Sequence, residues 1–249
     1  MYDRNGRMPE PPLLTLAGVH THIGRYHILH GVDLVVPQGR LTMLLGRNGA
    51  GKTTTLRTIM GLWRASAGTV VFGGVRIDRL ETPEVARLGI AYVPETMGIF
   101  TQLSVRENML LATGPKGFDA ARLDNVFATF PVLKQKWHDA AGGLSGGQKQ
   151  MLAIGRAIVE ERRLLVVDEP TKGLAPAVIE HLIDAFQRLK ATRTTILMVE
   201  QNFHMARSLG DAVAVMDDGR VVHTGPMADL AADEELQARL LGLSLAAHQ

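Results

Sequence analysis

One short stretch, Gly46-Arg47-Asn48-Gly49-Ala50-Gly51-Lys52-Thr53-Thr54, combines three glycines, a lysine and two hydroxyls. Glycines let successive backbone N–H groups turn inward on an anion, and a helix that starts at the end of the turn adds partial positive charge. Such a loop cradles phosphates. Lys52 is placed to reach the β- and γ-phosphates of a nucleotide, and the Thr53 hydroxyl to ligate Mg²⁺. The chemistry requires a strand before the loop and a helix after it. Leu41 to Leu45 is an apolar run interrupted only by Thr42, and Lys52 to Gly61 carries apolar residues at helical spacing. Average residue usage yields this pattern by chance in about one chain in a hundred of this length, so a plain glycine turn is the weaker reading.

Two further stretches carry chemistry. Leu164-Leu165-Val166-Val167-Asp168-Glu169 is an apolar run that ends in carboxylates. Asp168 at the end of a strand beside the loop can hold Mg²⁺ through water. Glu169, one residue on, can take a proton from water attacking a γ-phosphate. Leu144-Ser145-Gly146-Gly147-Gln148 opens a helix 20 residues before Asp168 and offers a second helix N-terminus to an anion. One chain cannot easily bring both loops to one phosphate. Two subunits facing head to tail can, each capping the other's nucleotide with its Ser145 loop.

The elements that must position these residues alternate along the chain. Extended segments are expected at Leu13 to Leu16, Tyr26 to Leu29, Val32 to Val36 and Leu41 to Leu45. After the first helix, Ser66-Ala67-Gly68 reads as a turn ahead of a hairpin, Thr69 to Phe72 with Val75 to Ile77. A short helix near Pro83 to Arg87 leads to a buried strand, Ile90 to Val93. From Thr96 to Gly142 the pattern turns helical, with helices expected at Val105 to Ala112 and Ala120 to Phe130, and then at Gly143 to Glu160. Strand Leu164 to Val167, helix Pro176 to Lys190, strand Ile196 to Val199, a hairpin around Asp217-Asp218-Gly219 and a helix Met227 to Leu241 follow. The fold class is therefore α/β: a nucleotide-binding core on a mostly parallel sheet, an antiparallel β lobe and an inserted helical subdomain at about residues 96–160. Residues 13–243 form the domain, with tails at 1–12 and 244–249.

Bulk properties narrow the class. The 249 residues suffice for one large α/β domain, and 46% hydrophobic with 21% charged residues is an ordinary globular mix. A net charge of +2 gives no strong field for nucleic acid, and the absence of cysteine excludes disulfides and thiolate metal sites. Met1 to Pro12 lack the apolar core of a signal peptide, and no run reaches the ~20 apolar residues that cross a bilayer. The expectation is a soluble protein whose membrane role comes through a partner.

With its motifs in this order, the chain resembles the ATP-binding cassette (ABC) family of transporter ATPases from Leu13 to Leu243. The resemblance implies that Gly46 to Thr54 is the Walker A loop, Leu144 to Gln148 the signature, Leu164 to Asp168 Walker B and Glu169 the catalytic glutamate. It implies ATP and Mg²⁺ as ligands, and a helical subdomain that grips a permease. Three departures from the commonest pattern are similar to the LivF-type ATPase of branched-chain amino acid importers: Val93-Pro94-Glu95, Gly173-Leu174-Ala175-Pro176 and Val199-Glu200-Gln201. Glu95 can still offer an oxygen toward Mg²⁺ but adds a negative charge. Gln201 can hydrogen-bond a γ-phosphate oxygen but cannot relay a proton as histidine does. That likeness implies a LivG-like second ATPase or a homodimer, two transmembrane permease subunits and, indirectly, a periplasmic substrate-binding protein. It implies a peripheral position on the cytoplasmic face of the inner membrane and no nucleic acid. A cassette outside import or transport, or one whose partner does most of the hydrolysis, are the competing readings.

The family's usual adenine-stacking aromatic is replaced by Ile23, ahead of Gly24, with Tyr26 two residues further on; either residue is a candidate for the contact. His20, His22, His27 and His30 are grouped without nearby carboxylate or cysteine and read as strand-pairing histidines rather than metal ligands. His204 reads as an ordinary helix residue. Lys134-Gln135-Lys136-Trp137 reads as a solvated loop. Met97, Ile99 and Phe100 suit either a permease contact or the subdomain core.

Overall fold

The computed structural model describes residues 11–242. Most of the expected N-terminal tail, together with Leu243 and the C-terminal tail, lies outside the described residues.

The chain begins with β1 (Leu14–Ile23) and β2 (Tyr26–Val36), each longer than its apolar runs. The two are antiparallel across the turn at Gly24, so Tyr26 to Leu29 and Val32 to Val36 belong to one strand. β3 (Leu41–Gly46) is buried throughout and delivers the chain into the glycine loop, from which α1 (Lys52–Ile59) departs. β4 (Ala65–Phe72) then pairs with β1, and β5 (Val75–Arg76) closes the hairpin. The expected turn at Ser66-Ala67-Gly68 is strand instead. β1 shifts register between Ala17 and His20, and Gly68 (φ 84°) sits against that irregularity, where a Cβ would come within 2.2 Å of the Gly18 carbonyl oxygen. Only glycine fits there.

After α2 (Thr82–Arg87) and β6 (Ile90–Val93) come α3 (Val105–Leu110), α4 (Ala120–Thr129), α5 (Pro131–Gln135) and α6 (Gly146–Ile158). α6 starts three residues later than expected, because Ala141–Gly143 forms a separate 3₁₀ turn. The basic stretch around Trp137 is not a plain solvated loop. Lys134 and Gln135 belong to α5, and Trp137 meets Phe127 edge-on at 5.0 Å between ring centroids.

β7 (Leu164–Asp168), α7 (Pro176–Ala191), β8 (Thr195–Val199), α8 (Phe203–Leu209), β9 (Ala212–Asp217) and β10 (Arg220–Pro226) complete the core. The single closing helix expected from Met227 is two, α9 (Met227–Ala232) and α10 (Glu234–Leu241). Asp233 leaves helical geometry between them, and its carboxylate accepts from the Leu236 N–H, capping α10.

Two sheets result. The antiparallel lobe has the order β2-β1-β4-β5. The core sheet runs β10-β9-β3-β8-β7-β6, parallel except for β10. Alternate side chains of its strands enter two cores. Met43, Leu165, Val167 and Met198 face the helices, while Leu44, Leu164, Val166 and Val199 face the β lobe and α1. A parallel sheet covered on both faces needs apolar residues on both, which is why these strands read as apolar runs with only Thr42 and Thr195 among them before the carboxyl edge.

Candidate nucleotide-binding site

Parallel strands end at one edge, so the residues that follow β3, β8, β7 and β6 are gathered there by topology alone. Leu44 and Asp168 both register with Val199 of β8, which fixes Gly46, Asp168 and Gln201 at that edge. Gly46 has a φ of 143°, and a Cβ on it would stand 2.2 Å from the Met216 carbonyl oxygen of β9. No other residue could start the loop here.

The loop closes around Lys52. Its ammonium donates to the carbonyl oxygens of Gly46 at 2.8 Å and Arg47 at 3.0 Å, and lies 3.7 Å from Glu169 Oε1. Burial pushes the Lys52 pKa down, and the charges of Glu169 and Asp168 oppose that shift. Glu169 is nearly buried and has a left-handed φ of 45°, an unusual conformation for a residue with a side chain. Its Oε1 accepts from Gln201 Nε2 at 2.6 Å, and its Oε2 lies 3.8 Å from Lys172 Nζ. A carboxylate held this way by an amide and two ammoniums is anchored and can accept a proton from water beside it.

Asp168 is fully buried and accepts from the hydroxyls of Thr53 at 3.1 Å and Tyr92 at 3.2 Å. Burial holds its carboxyl above the ordinary range, and the two hydrogen bonds only partly oppose this. Among the described residues no ion pair engages it. A buried carboxylate with neutral partners, beside a hydroxyl, is a hard-oxygen donor set that fits Mg²⁺. Glu95, the third residue expected to bind metal, is turned to Lys172, with Oε1 2.5 Å from its ammonium. A cleft of about 310 Å³ opens beside the loop between Arg47, Asn48, Gln201, Phe203 and Leu241.

Ser145 caps α6: its Oγ accepts from the Gln148 N–H at 3.3 Å, and Gln148 Oε1 accepts from the Ser145 N–H at 3.0 Å. Ser145 and Gly146 are exposed. The Ser145 and Gln148 side chains bond each other's backbone N–H groups and make no hydrogen bond to the Lys52 network. Ile23 and Tyr26 face each other as a cross-strand pair at the tip of the β1–β2 hairpin. Tyr26 is 60% exposed, with the Arg25 guanidinium 5.3 Å from its ring centre. β2 reaches the phosphate loop through Gly219, which accepts from His30 N–H and donates to the Ala50 carbonyl.

The grouped histidines pair across β1 and β2, His20 with His30 and His22 with His27. Their rings stack, His22 on His27 at 4.1 Å, and among the described residues no three His, Cys, Asp or Glu side chains are grouped to hold a metal ion. His204 lies on α8 and bonds Glu180. Met97 and Ile99 pack on the core, whereas Phe100 is half exposed beneath the Arg156 guanidinium.

Three residues at this edge escape sequence reasoning. Tyr92 and Lys172 act across loops, which no spacing rule reveals. Glu200 is buried and accepts from the Thr171 hydroxyl at 2.8 Å and from the N–H groups of Thr171, Gln201 and Asn202 at 3.0–3.1 Å. A lone acid directly after the apolar run Ile196 to Val199 was the available signal. Burial raises its pKa against these bonds.

A parallel sheet with a glycine loop, a buried lysine and a hydroxyl–carboxylate pair at its carboxyl edge defines a P-loop nucleoside triphosphatase. The ABC transporter family model matches residues 29–172. Relatives include the high-affinity branched-chain amino acid transport ATP-binding protein BraG of Pseudomonas aeruginosa, 35% identical over 92% of this chain and 100% of that one. The probable branched-chain amino acid transport ATP-binding protein LivF of Archaeoglobus fulgidus is 36% identical over 87% of this chain and 93% of its own. The crystal structure of an ATP-binding cassette of an ABC transporter in its ADP conformation superposes with a TM-score of 0.79 at 26% identity, covering 93% of this chain and 99% of that one. The chain belongs to the ABC transporter family and is one of its ATP-binding cassettes, ATPases that drive transport. Among the described residues no helix is long and apolar enough to cross a membrane.

Proposed function

We propose that this chain is the ATP-hydrolysing subunit of an importer for branched-chain amino acids or related small solutes. The likeness to BraG and LivF over most of each chain supports that substrate class. Residues 13–243 act as one cassette, with a helical subdomain at about 96–160 that grips a permease. Two permease subunits and a second cassette, either LivG-like or another copy of this chain, complete the assembly, and a periplasmic binding protein feeds it. The chain sits on the cytoplasmic face of the inner membrane.

The loop from Gly46 to Thr54 wraps the triphosphate with its backbone N–H groups, and Lys52 neutralises the β- and γ-phosphates. Thr53 and Asp168 hold Mg²⁺, which offsets phosphate charge. Glu169 takes the proton of the attacking water as the γ-phosphorus leaves ADP, and Gln201 keeps the Glu169 carboxylate in place. Ile23 and Tyr26 border the adenine. Ser145, Gly146, Gly147 and Gln148 contact the nucleotide of the facing cassette.

The observation that carries this reading is the Glu169 carboxylate fixed between Gln201, Lys52 and Lys172. Phosphate release by the assembled transporter tests it. Glu169→Gln is expected to lower turnover more than ~100-fold while ATP still binds. Turnover at the normal rate would remove Glu169 from the chemistry.

A further inference from the structure

Lys172 supplies a cation to this edge from outside the phosphate loop. It lies in the turn after β7, its side chain is 59% exposed, and its ammonium stands 2.5 Å from Glu95 and 3.8 Å from Glu169. Those two carboxylates leave the sheet from neighbouring parallel strands, because Val93 of β6 registers with Val167 of β7. One ammonium thus joins the loop that leads from β6 toward α3 to the carboxylate that follows Asp168. Without it, Glu95 would add an uncompensated negative charge where a triphosphate must sit.

We infer that Glu95 and Lys172 work as one neutral unit in nucleotide binding, with Lys172 as a positioning residue. Its ammonium cancels the Glu95 charge at the phosphate end of the site and steadies the Glu169 carboxylate from the side opposite Lys52. The inference rests on the reading of this edge as the nucleotide site. It makes the two substitutions interdependent: a chain with Glu95 needs the cation, and a chain with glutamine there does not.

The test is a double-mutant cycle on the full-length chain, measuring MgATP affinity by calorimetry at two salt concentrations, with the melting temperature of each variant as a folding check. Lys172→Gln is expected to weaken ATP binding about tenfold. Adding Glu95→Gln to that variant should restore affinity to within about threefold of the original, and Lys172→Arg should retain it. The loss in Lys172→Gln should deepen at low salt, where the unpaired Glu95 is least screened. A purely structural lysine would give no rescue by the second substitution and no salt dependence. Affinity of Lys172→Gln within twofold of the original, or a double variant equal to the product of the singles, overturns the inference. Lys52→Ala, run alongside, separates the two levels. If it binds ATP normally the nucleotide-site reading itself fails, whereas additive Glu95 and Lys172 effects with a defective Lys52→Ala refute only the coupling.

Discussion

Two helices in this chain begin at glycine-rich turns, and their first turns are built in opposite ways. α1 starts from Gly51 in a left-handed conformation, with no side chain capping its N–H groups and no acidic residue in its first turn. α6 starts from Ser145 with a complete capping box, so its own Ser145 and Gln148 already occupy two of the donors. A helix leaves its first N–H groups without intrahelical partners, and these must be met by side chains, water or a ligand. In α1 they remain for an anion, and the buried Lys52 adds a full charge beside them. In α6 the donors are partly spent, and an exposed hydroxyl and glycine face outward. The first turn is suited to holding a triphosphate firmly. The second is suited to a weaker contact that forms and breaks, as expected of a loop that meets another subunit's nucleotide.

Removing the charge that distinguishes the first turn should have the largest effect. Lys52→Ala is expected to weaken MgATP binding about 100-fold by calorimetry, since it deletes a buried cation aimed at the phosphates. A loss below threefold would mean the two turns differ less than their caps suggest.

The next largest effect concerns the support behind the first turn. Glu200→Gln replaces a carboxylate that accepts from three N–H groups and a hydroxyl with a group that must turn a donor toward some of them. It should cost about 2–3 kcal/mol in urea unfolding at pH 7. Burial raises the folded-state pKa of Glu200, so the folded chain holds this proton more tightly than the unfolded chain. The stability that this group adds is thus fully present below its unfolded pKa of about 4.3 and lost as pH rises through the folded value. Glu200→Gln lacks that loss, so its deficit should be greater at pH 4 than at pH 7. An equal deficit at both would deny the shift.

The smallest effect is expected at the second turn. Ser145→Ala should lower stability by about 1 kcal/mol through loss of the cap. In the assembled transporter it should reduce turnover proportionately more than it reduces the isolated chain's own ATP affinity. Equal losses in both would erase the distinction between the turns.

The strands and loops that carry the chemistry were legible because each is a local pattern. The largely apolar runs before Gly46 and Asp168 are what a sheet buried on both faces demands, and glycine spacing marks the phosphate loop without any tertiary knowledge. Harder to read were places where distant residues decide. Gly68 looks like a turn until β1 is seen to shift register against it. The break at Asp233 is a cap written inside an otherwise helical pattern. Glu95 looked like a metal ligand from its position, but the partner that engages it, Lys172, lies 77 residues away. Such pairs depend on which strands are neighbours, and strand order is set by packing rather than by local residue types.

The central claim is that the phosphate loop is half of a site finished by another cassette's Ser145 turn. Light scattering of full-length Glu169→Gln with saturating MgATP, alone and mixed with the second ATPase subunit, tests it most directly. A nucleotide-dependent cassette pair should form in at least one of the two mixtures and be lost when Ser145→Arg is placed on the facing turn. ATP bound at saturation with every species remaining a monomer would contradict the claim.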